Sequence, residues 1–129
     1  MTSATQTVTD FITMLEKPGG FADGVRAYFT PTTRYLNVGM SDTTGIEQAL
    51  AFIAGFEAST GATSLRVDML AIAESGNTVM TERIDHLCDG QGKAVMSLAV
   101  MGAFEVEGCK ITGWRDYFDT AGLAAGAAS

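Results

Sequence analysis

TVMTERIDHLCDGQGKAVMSLAVMGAFEVEGCKITGWRDYF, residues 78–118, sets apolar against polar side chains in long runs cut by glycine-bearing turns. That alternation has the period of a pleated strand, whose successive side chains leave on opposite faces. The stretch predicts strands at 78–88, 93–106 and 110–118, separated by Asp89-Gly90-Gln91-Gly92 and by Glu107-Gly108-Cys109. A further strand, 63–73, precedes them across the turn Glu74-Ser75-Gly76-Asn77. The reading is a meander of long antiparallel strands.

Upstream of residue 63 the period becomes helical. Val8, Phe11, Ile12 and Leu15 fall on one face of a first helix, which Pro18-Gly19-Gly20 ends. Phe21, Val25, Tyr28 and Phe29 mark a second helix over 21–29, stopped by Pro31, and an extended piece follows at 34–38. Ile46, Ala49, Leu50, Ile53 and Phe56 stripe a third helix over 45–59, with residues 41–44 expected to supply capping side chains. Helices followed by a strand meander describe an α+β domain in which helices cover one face of a curved sheet. The hollow between them is a natural ligand pocket. Nothing divides residues 1–129, so a single domain is expected, with loose ends at about 1–6 and 121–129.

Of the 129 residues 47% are apolar, enough for one core and short for two. The 8 Lys and Arg against 15 Asp and Glu give a net charge of -7, which excludes the clustered cations that a nucleic acid or an anionic membrane surface requires. The longest greasy stretch, 94–104, is about half a membrane span and is read as a buried strand. The opening MTSATQTVTDF lacks a basic region followed by an apolar one, so a cytoplasmic protein is expected. Cys88 and Cys109 are read as small packing residues, and no metal ligand set is legible.

Arg83 and Asp85 lie two apart on one strand and share a face, as do Tyr35 and Asn37, and Trp114, Asp116 and Phe118. A two-residue turn at Gly90-Gln91 would set Arg83 opposite Leu98 and Asp85 opposite Met96. A three-residue turn centred on Gly108 would set Val100 opposite Asp116. All these residues then point one way, and a two-residue turn at 107–108 would invert the last strand. Alternate strands lie roughly 10 Å apart, within reach of a guanidinium stem plus a short carboxylate, so Arg83 is the natural bridge between Asp85 and Asp116. In a dry pocket, two acids on one cation carry about one negative charge too many, and one of them keeps its proton. One aspartate can then give a proton while the other takes one from a water held by Tyr35 and Asn37. Opening an epoxide needs that pair of transfers. The residues alone leave open which aspartate is the acid. His86, the only histidine, falls on the opposite face and is read outside the chemistry.

Tyr35-Leu36-Asn37, then Glu82-Arg83-Ile84-Asp85, then Trp114-Arg115-Asp116-Tyr117-Phe118-Asp119, in that order, closely resemble the limonene-1,2-epoxide hydrolase family. The likeness runs from about the second helix through Asp119, and the closing WRDYFD string is its most specific part. It implies a curved, mixed, mostly antiparallel sheet with helices lining a deep pocket, the cone-like fold of nuclear transport factor 2 and ketosteroid isomerase relatives. It also implies a homodimer, no cofactor or metal, and a small apolar epoxide and water as reactants. By position it makes Asp116 the base, with Tyr35 and Asn37 holding water, Asp85 the acid, and Arg83 the link between them.

The segment after Asn37 lacks the prolines of the family pattern, and the N-terminal extension is short. The expected pocket walls are Met69, Leu70, Met80, Leu87, Leu98, Val100, Met101, Trp114 and Phe118. Methionine-rich walls would adapt to several cyclic or terpene-like epoxides. Two rival readings share the fold: a polyketide cyclase or ketosteroid-type isomerase, which needs one acid and an oxyanion donor, and a silent ligand-binding module.

Overall fold

Ser3 starts the first helix, its side chain accepting the Gln6 N–H at 3.0 Å. In this computed structural model, which describes residues 2–121, α1 spans Ala4–Leu15 and so begins inside the stretch expected to be loose. The cap explains part of that, and Glu74 the rest: its Oε1 accepts from both the backbone N and the hydroxyl of Thr5, at 2.8 and 2.7 Å. Of the expected loose tail, residues 122–129 lie outside the described residues.

Helix α2 (Gly20–Tyr28) packs on α1, with Gly24 against the ring of Phe11, where an added Cβ would come within 3.0 Å. Strand β1 (Phe29–Asn37) starts earlier than expected and carries Pro31. The proline is tolerated because it falls at a register shift between Phe29 and Arg34, beyond the reach of the neighbouring β2. Residues 41–44, expected as helix caps, instead form β2 (Ser41–Thr44), a hairpin with β1. Thr44 is the N-cap of α3 (Gly45–Thr60) without a side-chain cap bond, and Gln48 reaches back to its N–H instead.

The remaining strands are β3 (Ser64–Ser75), β4 (Thr78–Cys88), β5 (Ala94–Glu107) and β6 (Lys110–Tyr117). One curved, open six-stranded sheet results, in the order β2-β1-β6-β5-β4-β3. Every pair is antiparallel except β1–β6, so the sheet is mixed, as the expected α+β fold requires. Phe11, Leu15, Val25, Phe29, Ile53, Val79, Phe104, Ile111 and Trp114 join the helices to one face of it. Phe11 is wholly buried among Tyr28, Phe29, Phe104 and Trp114, and truncating such a ring to alanine costs about 3–5 kcal/mol.

The hairpin registers differ from the expected ones by two residues. Arg83 faces Val100 and Asp85 faces Leu98, because a five-residue connection, 89–93, replaces the two-residue turn, and a bulge lies between Leu87 and Cys88. On the other side Glu107 pairs with Lys110, a two-residue turn that by itself would throw Asp116 to the outer face. A bulge at Thr112 cancels the inversion, so Phe104 pairs with Trp114 and Gly102 with Asp116. A shift of two preserves which face each side chain takes, and the shared face inferred from the sequence survives.

Candidate active site

Arg83 is 2% exposed, a cation almost fully removed from water. Its guanidinium makes a two-pronged contact with the neighbour two positions along β4, Nε to Asp85 Oδ1 at 3.0 Å and Nη2 to Asp85 Oδ2 at 2.9 Å. The same Nη2 donates across β5 to Asp116 Oδ2 at 2.9 Å, and Nη1 donates to Thr81 Oγ1 at 2.9 Å. The guanidinium also lies 5.9 Å from the ring centre of Phe104.

The crossing is possible because Gly102 occupies the intervening position on β5. A Cβ there would sit 2.5 Å from both Arg83 Nη1 and Asp116 Oδ1. Glycine within a strand often marks such a close approach, and that signal could have singled out Gly102. Thr81 and Phe104 were not legible as site residues without knowing what crosses the strand.

Parallel pairing of β1 with β6 sets Tyr35 beside Trp114 and Asn37 beside Asp116. The Tyr35 and Trp114 rings stack at 4.3 Å, and the Trp114 indole donates to Asp116 Oδ1 at 2.7 Å. Asn37 donates to Ser41 Oγ at 3.0 Å, so β2 orients the amide. The five residues expected to carry chemistry, Tyr35, Asn37, Arg83, Asp85 and Asp116, are thus buried together.

Burial drives the electrostatics. It holds the Asp116 carboxyl above the usual carboxylate range, with Arg83 and Trp114 pulling the other way and the Asp85 charge adding to the rise. Burial pulls Arg83 down, but the charges and hydrogen bonds of Asp116 and Asp85 outweigh it, and the guanidinium is held more tightly protonated than usual. Burial, reinforced by the charge of Asp116, pushes the Tyr35 phenol far up and keeps it neutral.

Tyr35, Asn37, Asp85 and Asp116 floor a pocket of about 780 Å³, open mouth included, and Arg83 is outside its lining. Leu87, Leu98, Val100, Trp114 and Phe118 line it as expected. Leu70, Met80 and Met101 do not: they are more than half exposed, because Met80 and Met101 sit at the outward positions of their strands and Leu70 occupies a bulge in β3. Met69 pairs with Arg83 yet lies outside the lining and is 37% exposed. The wall is aromatic instead of methionine-rich, with Phe21, Phe52 and Phe56 from the helices and Met40 as its one methionine, so the expected adaptability loses its basis.

His86 lies outside this lining, between Ser97 Oγ at 2.7 Å and Asp68 Oδ2 at 2.8 Å. Cys88 is buried as expected, whereas Cys109 is exposed in the β5–β6 turn. Among the described residues no three His, Cys, Asp or Glu side chains gather as a metal set, and no helix is long and apolar enough to cross a membrane.

The model of the limonene-1,2-epoxide hydrolase catalytic domain matches residues 2–128. The epoxide hydrolase EphG of Mycobacterium tuberculosis is 35% identical over 85 residues, which are 66% of this chain and 54% of that protein, so the match spans about half of the curated relative. A solved M. tuberculosis LEH-like epoxide hydrolase superposes with a TM-score of 0.72 at 31% identity, over 95% of this chain and 87% of that one. An NTF2-like protein of unknown function from Burkholderia pseudomallei gives 0.77 at 20% identity, over 97% of each chain, a likeness of fold alone.

Proposed function

Because the chain belongs to the limonene-1,2-epoxide hydrolase family, we propose that it is a cofactor-independent epoxide hydrolase that adds water to a cyclic or terpene-like epoxide and releases a vicinal diol. The observation that carries this reading is that the buried Arg83 holds at once Asp85 and Asp116, the two acids that line an apolar pocket. Asp116 is the base. Its carboxyl, raised by burial, is more basic than an exposed aspartate, and Asn37 and Tyr35 stand beside it as neutral groups to orient a water.

The bonds balance in one step. Water oxygen bonds to an epoxide carbon as that carbon's bond to the ring oxygen breaks. One water proton passes to Asp116, and the Asp85 proton passes to the leaving oxygen. Asp85 ends ionised against the two-pronged guanidinium contact, and Asp116 ends neutral. The pair keeps its total charge, so the buried arginine is never left facing two carboxylates or none. A later proton exchange between the two acids, through water, restores the starting state.

Reaction in heavy-oxygen water tests this: one labelled oxygen must appear in the diol, and unlabelled or rearranged product would instead favour a same-fold cyclase or isomerase. The homodimer belongs to the same proposal. Leu70, Met80, Met101 and Tyr117, exposed by 57, 56, 53 and 48%, support it as a face for a second copy. Light scattering on the eluted protein checks its mass.

A further inference from the structure

We propose that Thr81 is a positioning residue: by holding Arg83 Nη1 it makes the guanidinium share itself unequally, two contacts for Asp85 and one for Asp116, which leaves Asp116 able to take a proton. The inference rests on the epoxide hydrolase reading and adds what sets the strength of its base.

Arg83 stands on β4 between two side chains of its own face, Thr81 two positions before it and Asp85 two positions after. Nε and Nη2 meet the two oxygens of Asp85 at 3.0 and 2.9 Å, and Nη2 also meets Asp116 Oδ2 at 2.9 Å. Nη1 goes to Thr81 Oγ1 at 2.9 Å. A guanidinium only donates, so the threonine oxygen must accept, and its own proton points at the Gly102 carbonyl, 3.4 Å away. The polarity of this chain is therefore fixed. Thr81 is 1% exposed and lies outside the pocket lining, so it acts on the chemistry through Arg83 and touches no substrate.

A second contact to Asp116 is close at hand. Arg83 Nη1 and Asp116 Oδ1 each lie 2.5 Å from the point where a Gly102 Cβ would sit, so they flank one gap. Nη1 turns to Thr81 instead, and Oδ1 takes the Trp114 indole N–H at 2.7 Å. Without the threonine hydroxyl, Nη1 becomes a buried donor in need of an acceptor, and Asp116 Oδ1 is the acceptor across the gap. A two-pronged grip favours the ionised carboxylate. Burial now holds the Asp116 carboxyl up against the pull of Arg83, and a doubled contact would tip that balance downward. The titratable groups around Asp116 are Arg83 and Asp85 on β4 and Tyr35 on β1, while α3 adds Glu57 to the same pocket lining. Substituting Thr81 removes none of them.

The single tryptophan, Trp114, donates to Asp116, so its fluorescence follows that carboxyl through a pH titration with no substrate present. Asp116→Asn should abolish the transition and thereby assigns it. In Thr81→Val the midpoint should fall by about one pH unit, the scale of one further hydrogen bond to a charged group. Thr81→Ala should lower it likewise and stands in if the valine variant does not fold, whereas Thr81→Ser, which keeps the hydroxyl, should hold the wild-type midpoint. With cyclohexene oxide as substrate, the acid limb of kcat should move down with the midpoint. On the plateau kcat should fall by about three- to tenfold, because a weaker base takes the water proton less readily, while KM stays as it was. A midpoint unmoved or raised in the variants that lack the hydroxyl overturns the proposal even where activity is lost, since that is the mark of a merely structural threonine. So does a Thr81→Ser midpoint displaced as far as that of Thr81→Val. If the wild type hydrolyses no epoxide, the hydrolase reading fails by itself, and the fluorescence midpoints still decide how Arg83 is shared.

Discussion

Two arginine–aspartate forks in this molecule have nearly the same geometry and opposite consequences. Arg34 grips Asp42 between β1 and β2 with contacts of 3.0 and 2.8 Å, and Arg83 grips Asp85 along β4 with contacts of 3.0 and 2.9 Å. The first pair is 62% and 49% exposed in its side chains, the second 2% and 11%. In the exposed fork the Arg34 hydrogen bond lowers the Asp42 pKa. In the buried cluster Arg83 takes a second acid, Asp116, and burial wins over the cation, so that carboxyl is raised. A short ion pair is therefore no mark of chemistry by itself. What makes one a proton-transfer device is removal from water together with one acid more than the cation can neutralise.

Breaking the buried cluster at either acid should have the largest effect. Asp116→Asn and Asp85→Asn should each lower diol formation by about 10³-fold or more while the circular dichroism spectrum stays native, since each removes one half of the proton traffic. Arg83→Met should lose activity and also cost about 3–5 kcal/mol in urea unfolding at neutral pH, because two buried acids then face each other without the cation. Gly102→Ala keeps every charged group yet inserts a Cβ 2.5 Å from both Arg83 and Asp116. It should cut kcat/KM by about 10²-fold and lower Tm, whereas Gly55→Ala, with nothing within 4 Å and in mid-helix, should raise Tm.

The pH dependence sharpens the contrast through its sign. Asp116 has a raised folded pKa, so its linked stability is fully present below the unfolded value of 3.8 and is lost as pH rises through the folded value. Asp42 is lowered, so its smaller contribution is present above 3.8 and lost as pH falls through the folded value. The stability difference between wild type and Asp116→Asn should accordingly shrink with rising pH across that window. In kcat/KM, the acid limb should lie above the range of an ordinary carboxylate, since the base works only when ionised. The smallest effect belongs to Arg34→Ala, which should leave diol formation unchanged and Tm nearly so, exposed pairs being screened by water.

Much of this was legible in the chain itself, where period and punctuation carry the information. The apolar stripe Val8-Phe11-Ile12-Leu15, the third helix and the bounds of β4 are local features, and the structure reproduces them closely. The shared face of Arg83 and Asp85 follows from a period of two, which no packing can alter within a regular strand. The second helix ends ahead of Pro31 as expected, but the strand after it starts at Phe29 and not at 34, because a proline also fits a strand where no neighbour needs its N–H. Residues 41–44 misled because Ser, Asp and Thr suit both a cap and a short edge strand. Met80 and Met101 were placed in the pocket on their chemistry, although their parity points outward; bulk and greasiness do not say which face of the sheet is covered.

The sequence by itself determined the three helices, the four long strands of the meander and which ionisable groups share a face within a strand, because backbone geometry enforces those within a few residues. Only the tertiary structure decided that β1 runs parallel to β6 and brings Asn37 to Asp116, that a bulge at Thr112 turns Asp116 inward, and that Gly102 leaves room for Arg83 to span a strand. Those outcomes depend on pairings between residues far apart in the chain, whose register is set by loop length, bulges and the covering of one apolar face, and no local pattern encodes them.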